Sequence, residues 1–164
     1  AYRDRLIIPF YYEKRIVGWT ARTVNPDKKP RYLTQAQPGF VYGLDEQRPN
    51  KVFCILVEGQ VDAIHVDGCA IGGSEINEQQ ALLLNRLQKQ IIVVPDRDKS
   101  GSKLVEQAID YGWSVSLPEW SQEIIDVGDA VSKYGRLYAL HSIVSASEDS
   151  ALKIRLRAKK WFNK

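Results

Sequence analysis

Val52–Val57 has the sequence VFCILV and is followed at once by Glu58 and Gly59. An apolar run without polar alternation is typical of a strand that is buried on both faces of a parallel sheet. A second run of this kind, Ile91–Val94 (IIVV), is followed by residues 95–98 (PDRD). The sequence therefore predicts two buried strands that each end in acidic residues.

Helical patterns fill the intervals between these strands. We predict helices over 60–66, 77–88 and 100–111, and further strands over 69–71 and 113–117. Regular alternation of strands and helices over 51–120 indicates βαβ crossovers. The predicted fold class is α/β, a mostly parallel sheet with helices on both faces, and ligands bind at the carboxyl ends of the strands in such sheets.

The two ends of the chain differ from this middle part. Residues 6–12 and 16–24 are predicted strands joined by the turn 13–15, and the chain is mostly helical from residue 129 onward, ending in a helix over 150–162. We therefore predict three parts. They are a small β-rich basic subdomain over 1–50, an α/β domain over 51–135 and a C-terminal helical segment over 136–164.

Charge follows the same division. Residues 1–50 carry 9 Lys/Arg and 5 Asp/Glu, residues 51–135 carry 7 and 13, and residues 136–164 carry 7 and 2. Basic zones favour partners that bear phosphates. An acidic middle zone would repel nucleic acid unless divalent cations neutralise it. The alternative is that these zones are solvated faces without a common role.

Composition excludes several classes of protein. The chain has 164 residues, of which 44% are hydrophobic and 26% charged, as in an ordinary globular domain. Its apolar runs are too short to span a bilayer and it shows no signal peptide, so we expect no membrane partner and a cytoplasmic location. Two cysteines exclude a disulfide framework and a four-cysteine zinc site. Because the chain has no methionine, we expect a piece of a longer protein or a processed one.

The acidic residues at the strand ends suggest a metal site. If the two buried strands are neighbours, Glu58, Asp96 and Asp98 converge at one edge of the sheet. Carboxylates at close range raise each other's pKa, and a hard cation such as Mg²⁺ relieves that repulsion. Two such ions can clamp the reacting oxygens in phosphoryl transfer. The alternative is that both aspartates cap the following helix and Glu58 is solvated. Supporting candidates follow on the next helix and in a later loop: Asp62, Asp126, Asp129.

The motifs EGxxDA over 58–63 and PDxDxxG over 95–101 together resemble the Toprim domain of primases, topoisomerases and some nucleases. The flanking segments are similar to those of bacterial or phage primases of the DnaG-like group. The order and spacing agree over roughly residues 3–135. The similar segments are RLIIPF over 5–10, GWTAR over 18–22, KPRYLT over 29–34 and YGL over 42–44.

This resemblance implies a DNA primase catalytic core that synthesises short RNA primers on single-stranded DNA from ribonucleoside triphosphates, as part of DNA replication. It implies Mg²⁺ or Mn²⁺ as cofactor and a replicative helicase, separate or fused, as partner. It implies Glu58, Asp96 and Asp98 as catalytic residues that bind the metal, supported by Asp62, Asp126 and Asp129. Arg22 and Arg31 would hold template or nucleotide phosphates, and we add Lys99, beside the acidic motif, as a further candidate.

The sequence also departs from that family. Residues 72–75 (GGSE) replace a Gly-Thr-type turn, residues 126–129 (DVGD) replace an Asp-Pro-Asp arrangement, and Arg31 replaces a lysine. Two alternatives stay open, a Toprim nuclease with the same metals and a non-catalytic nucleic-acid-binding module. The C-terminal cations could track a nucleic-acid backbone, with a solvated helix face as the alternative: Lys153, Arg155, Arg157, Lys159, Lys160. His65 and His141 are interpreted as packing or surface residues.

Overall fold

The computed structural model describes residues 2–163. An antiparallel sheet comes first, formed by β1 (Arg5–Tyr12), β2 (Arg15–Thr23) and β3 (Tyr32–Ala36) in that order. The β1–β2 turn is held by Asp45, whose carboxylate accepts hydrogen bonds from the backbone N–H groups of Glu13 and Lys14. The two strands predicted over 6–12 and 16–24 are confirmed to within one residue at each end.

A five-stranded sheet follows, in the order β5-β4-β6-β7-β8. All neighbours in it are parallel except β7 and β8, which pair antiparallel. The α/β fold class is confirmed, with a separate antiparallel sheet before it. The strands are β4 (Phe53–Val57), β5 (Cys69–Ala70), β6 (Gln90–Val93), β7 (Ser114–Ser116) and β8 (Ser147–Glu148). The helices are α1 (Gln60–Val66), α2 (Glu78–Asn85), α3 (Lys99–Asp110), α4 (Val127–Tyr134), α5 (Arg136–Ser145) and α6 (Ala151–Phe162).

The two apolar runs are adjacent strands in the centre of this sheet. Ile55 in β4 lies opposite Ile92 in β6, and both side chains are almost fully buried between helices. Burial on both faces explains why neither run alternates with polar residues. Because β4 and β6 are parallel neighbours, the residues that follow them meet at one edge of the sheet.

Polar caps set where α2, α3 and α4 start. Asn77 accepts a hydrogen bond from the backbone N–H of Gln80, whose side chain accepts one from the backbone N–H of Asn77. Asp98 caps α3 and Asp126 caps α4 in the same manner, each through a side-chain oxygen. Two of the acidic residues singled out above therefore start helices beside the sheet edge.

The C-terminal part is not helical throughout. The short strand β8 (Ser147–Glu148) joins the sheet antiparallel to β7, an addition that the sequence did not predict. Two polar residues carry no apolar pattern, so only their place beside β7 makes them a strand. Ile143, Ile154 and Trp161 belong to the same hydrophobic core as β4 and β6. The boundaries predicted near residues 50 and 135 stay predictions.

Two further observations concern the described part of the chain. Cys54 and Cys69 are buried and free. Within residues 2–163 we find no helix with the length and hydropathy that a membrane crossing requires.

Candidate metal and nucleic-acid site

A cleft of about 570 Å³ opens between the antiparallel sheet and the carboxyl ends of β4 and β6. One wall is basic and aromatic, and comes from β2, β3 and the loop between them. The opposite wall is acidic, and comes from the segments that follow β4 and β6 and from the start of α4. The residues used below are Arg22, Arg31, Tyr32, Glu58, Asp62, His65, Asp96, Asp126 and Asp129.

Glu58 and Asp96 form the centre of the acidic wall. Glu58 directly follows β4, and its Oε1 accepts a hydrogen bond of 3.3 Å from the backbone N–H of Asp96. Asp96 comes three residues after the last residue of β6. The predicted convergence of these two residues at one sheet edge is therefore what the structure shows.

Both carboxyl groups are partly desolvated. Burial is the largest cause that raises the pKa of Glu58 to about 7, with a further contribution from the charge of Asp98. Burial is again the largest cause that raises the pKa of Asp96 to about 8, followed by the neighbouring charges of Glu58 and Asp62. Burial and neighbouring acidic groups thus disfavour the ionised form of both carboxyl groups.

Asp62 and the start of α4 extend this wall. The backbone N–H of Gly128 donates a hydrogen bond of 2.8 Å to Asp62 Oδ1. Burial, and then the charge of Asp126, raise the pKa of Asp62. Asp126 accepts a 2.7 Å hydrogen bond from the N–H of Asp129, whose own Oδ2 accepts one of 3.1 Å from the N–H of Ile125. Asp126, the N-cap of α4, and Asp129, in the first turn of α4 rather than in a loop, thus line the cleft together with Asp62.

Asp98 has a different environment. Its Oδ1 accepts hydrogen bonds from the N–H of Ser100 at 2.8 Å, the hydroxyl of Ser100 at 2.6 Å and the N–H of Gly101 at 3.0 Å. Burial raises the pKa of Asp98, but these donors outweigh it and the pKa is lowered. Asp98 does not line the cleft. The structure thus shows the helix cap that the alternative predicts for Asp98 but not for Asp96, and Glu58 is buried rather than solvated, while the metal role of Asp98 stays a prediction.

The chemistry of the acidic wall fits a divalent cation. Within residues 2–163, no three or more His, Cys, Asp or Glu side chains are gathered into a preformed metal site. Mg²⁺ is usually bound by one or two carboxylates together with waters and substrate phosphates, so it does not require a complete protein cage. Partly or fully buried carboxylates with raised pKa values provide such oxygen ligands, with Glu58 and Asp96 the best placed.

The basic wall faces these carboxylates. The guanidinium carbons of Arg22 and Arg31 lie 5.8 and 5.9 Å from the centre of the Tyr32 ring. Arg22 is near enough to Asp62 to lower the pKa of that carboxyl, against the larger effect of burial. Lys99, the first residue of α3, is exposed and does not line the cleft. The structure thus brings together Arg22 and Arg31 with the carboxylates, but not Lys99.

Gln60 and His65 are among the lining residues that were not predicted as functional. Gln60 is buried between Glu58 and Asp62 in the first turn of α1. His65 lies one turn after Asp62 and lines the cleft, and its interpretation as a packing or surface residue stays a prediction. The helical spacing of 58, 62 and 65 is the sequence feature that could have indicated the position of His65.

The C-terminal cations are largely paired within the chain. Arg155 contacts Glu106 at 2.9 Å, and Lys153 and Arg157 contact Glu148 at 3.6 and 3.8 Å. These pairs favour the interpretation of α6 as a solvated helix face.

A family model matches the part of the chain that carries this site. Residues 55–129 match the family described as Toprim-like. This segment contains the last three residues of β4, all of β6 and all six carboxylates of the predicted site. Residues 55–129 are therefore similar to Toprim domains, and the matched segment includes the acidic motifs quoted from the sequence above.

The relatives and solved structures to which this chain is similar include DNA primases. The DNA primase of Aquifex aeolicus is 26% identical over 170 residues, covering 90% of this chain and 34% of the relative. That of Halalkalibacterium halodurans is 29% identical over 154 residues, covering 82% and 25%. This chain thus spans about a third or less of the length of either protein. A DnaG primase catalytic domain bound to single-stranded DNA shares the fold with a TM-score of 0.76 at 21% identity, covering 97% of this chain and 57% of that structure.

Proposed function

We propose that this chain provides the nucleotidyl-transfer site of a DNA primase and joins ribonucleotides on a single-stranded DNA template. The observation that carries the proposal is the cleft in which Glu58 and Asp96 face Arg22 and Arg31 across the two sheets. An acidic wall opposite a basic wall suits a substrate that carries both phosphates and divalent cations. The primase relatives support the same assignment.

The acidic wall would hold the cations. Bound there, Mg²⁺ or Mn²⁺ would supply charge stabilisation for the attacking and leaving oxygens. Glu58 and Asp96 would provide the oxygen ligands, and each would give up the proton that its raised pKa retains near neutral pH. Asp62 and Asp126 would stay beside them as supporting carboxylates, oriented by the backbone N–H groups of Gly128 and Asp129. Asp98 would act mainly as the cap that fixes the start of α3.

The basic wall would hold phosphates. Arg22 and Arg31 would bind the triphosphate or the template backbone, since a guanidinium donates two hydrogen bonds to one phosphate. Tyr32 lies between them, partly exposed, where it can stack on a base. In this arrangement the 3′-hydroxyl of a growing strand attacks the α-phosphorus of a nucleotide held between the walls, and pyrophosphate leaves. The replicative helicase predicted as partner stays a prediction.

Single-nucleotide extension of a short RNA annealed to a DNA template tests this function without requiring initiation. We expect extension that depends on Mn²⁺ or Mg²⁺, is lost in Asp96→Asn and is retained in Arg155→Gln, a control far from the cleft. Cleavage of the DNA strand instead of extension would establish the nuclease alternative. Salt-sensitive DNA binding without either reaction, unchanged in Asp96→Asn, would contradict the proposal and favour the binding module.

A further inference from the structure

Arg97 lies between Asp96 and Asp98, but its side chain belongs to another part of the molecule. It is only 8% exposed, and its guanidinium carbon lies 3.7 Å from the centre of the Trp161 ring in α6. The guanidinium donates hydrogen bonds to the backbone carbonyls of Ser121 at 3.0 Å and Trp120 at 3.5 Å. Arg97 therefore anchors the acidic motif to the C-terminal helix and to the segment after β7.

The backbone of Arg97 adds a second link. Its N–H donates a hydrogen bond of 2.8 Å to the carbonyl of Ile125. Ile125 directly precedes Asp126, whose side chain lines the cleft. This hydrogen bond fixes the loop after β6 relative to the loop before α4. The two loops carry Asp96 and Asp126, so their relative position decides where these carboxylates stand.

Burying a charged guanidinium costs free energy of desolvation. None of the ion pairs within residues 2–163 includes Arg97, and its Nε is buried without a hydrogen-bond partner. Burial also lowers the pKa of Arg97. Apolar residues of similar volume often replace buried charges at no loss of stability. An arginine at this position therefore suggests that the side chain fixes the geometry of the loop. Its guanidinium makes two hydrogen bonds and stacks on an aromatic ring, and an apolar side chain could not supply both.

We propose that Arg97 is a positioning residue for the acidic wall, and that Trp161 holds it in place. The inference deepens the proposed function and rests on it. Arg97 directs Asp96 into the cleft by fixing the backbone between the two aspartates. Direct neutralisation of the carboxylates is not its role, because burial and the neighbouring acidic charges dominate the pKa of Asp96.

Arg97→Met provides the first test, with Mn²⁺ affinity and the free energy of unfolding measured on the same samples. Residues that orient metal ligands typically contribute a factor of about 10 to 100 in metal affinity. We expect the Mn²⁺ dissociation constant of Arg97→Met to rise by about tenfold while the stability stays equal or increases. Arg97→Lys, which keeps the charge but not the planar fork, should show most of the same loss. Unchanged Mn²⁺ affinity in a folded Arg97→Met variant would overturn the proposal.

A matched pair of tryptophan variants provides the second test. Trp161 and Trp113 are 7% and 6% exposed, but Trp113 stacks on Tyr111 and donates to Asn85. We expect Trp161→Leu to speed hydrogen exchange of the Arg97 amide and to weaken Mn²⁺ binding, and Trp113→Leu to do neither. Equal effects of the two variants would overturn the role of Trp161.

The two tests separate this inference from the proposed function. If the unaltered chain binds no Mn²⁺, the metal site of the proposed function fails. Hydrogen exchange of the Arg97 amide then still decides whether Arg97 and Trp161 fix the loop after β6. Faster exchange in Trp161→Leu alone would retain the positioning role, and equal exchange in both tryptophan variants would overturn it.

Discussion

The backbone N–H of Asp96 donates a hydrogen bond of 3.3 Å to Glu58 Oε1. The two residues are 38 positions apart in sequence and follow two neighbouring parallel strands. Their contact places two carboxyl groups in the same partly desolvated space. The pKa of Glu58 is raised to about 7 and that of Asp96 to about 8. The pair is therefore held in an arrangement that is unfavourable until cations or protons compensate it.

The first prediction concerns stability without metal. Both carboxyl groups bind protons more tightly in the folded chain, with pKa values of about 7 and 8, than in the unfolded chain, where they are near 4.5 and 3.8. The folded state then binds more protons throughout that window. The free energy of unfolding contributed by these groups is highest below about pH 4 and falls as the pH rises to about 8. Urea unfolding in EDTA across this window, with wild type and Asp96→Asn side by side, measures the effect.

The difference in the free energy of unfolding between wild type and Asp96→Asn separates the contribution of Asp96 from that of the other titrating groups. We expect Asp96→Asn to gain stability relative to wild type as the pH rises. Mg²⁺ at about 100 times its dissociation constant should stabilise wild type by about 2.7 kcal/mol at high pH and leave the variant unchanged. A stability difference that does not vary with pH would contradict the raised pKa.

A second prediction separates the two possible roles of Asp98. Asn is as good a helix N-cap as Asp, whereas Ala leaves the N–H groups of Ser100 and Gly101 unpaired. Asp98→Ala should therefore cost about 1 kcal/mol of stability, and Asp98→Asn much less. If Asp98 also binds metal, both variants lose Mn²⁺ affinity. If Asp98→Asn binds Mn²⁺ as wild type does, the capping role alone accounts for this residue.

A third prediction concerns the close approach of α3 to the acidic loop. A Cβ atom at Gly101 would collide with the backbone carbonyl oxygen of Asp96. Gly101→Ala should displace the loop, destabilise the chain by about 1–3 kcal/mol and weaken Mn²⁺ binding. Gly73→Ala is the control, because a Cβ there meets nothing within 4 Å. Thermal unfolding and Mn²⁺ titration of both variants check this, and equal behaviour of the two would contradict it.

A fourth prediction concerns the basic wall. Replacing Arg22 or Arg31 with Ala should weaken binding of single-stranded DNA, and the slope of log affinity against log salt should fall by about 1 for each lost phosphate contact. Lys99→Ala should have a smaller effect, because Lys99 lies outside the cleft. Fluorescence anisotropy over a series of salt concentrations measures these slopes. A larger effect from Lys99 than from either arginine would place the DNA path outside the cleft.

The central sheet could be predicted because its strands are buried on both faces. The apolar composition of Phe53–Val57 and Ile91–Val94 indicates burial on both faces, although Val52, predicted in the same run, lies outside β4 and is exposed. The rule that ligands bind at the carboxyl ends of parallel strands then located Glu58 and Asp96. The helix starts at Asn77, Asp98 and Asp126 also follow from local chemistry. Such caps depend on only a few neighbouring residues, so the sequence alone can indicate them.

Other features depend on contacts that sequence patterns do not encode. The pairing of β8 with β7 involves two polar residues at the edge of the sheet. The side chain of Arg97 turns away from its acidic neighbours and stacks on Trp161, 64 positions later. The absence of Lys99 from the cleft follows from the orientation of the first turn of α3, which Asp98 fixes by capping. Each of these depends on tertiary packing.

The most direct test of the central claim is a Mn²⁺ titration, followed by calorimetry or EPR, of this chain and of Asp96→Asn, with and without a ribonucleoside triphosphate. The account predicts Mn²⁺ binding that is tightened by the nucleotide and lost in the variant, because carboxylates and phosphates share the cation in the cleft. Mn²⁺ binding that persists in a folded Asp96→Asn variant, or no binding to the folded wild-type chain, would contradict it.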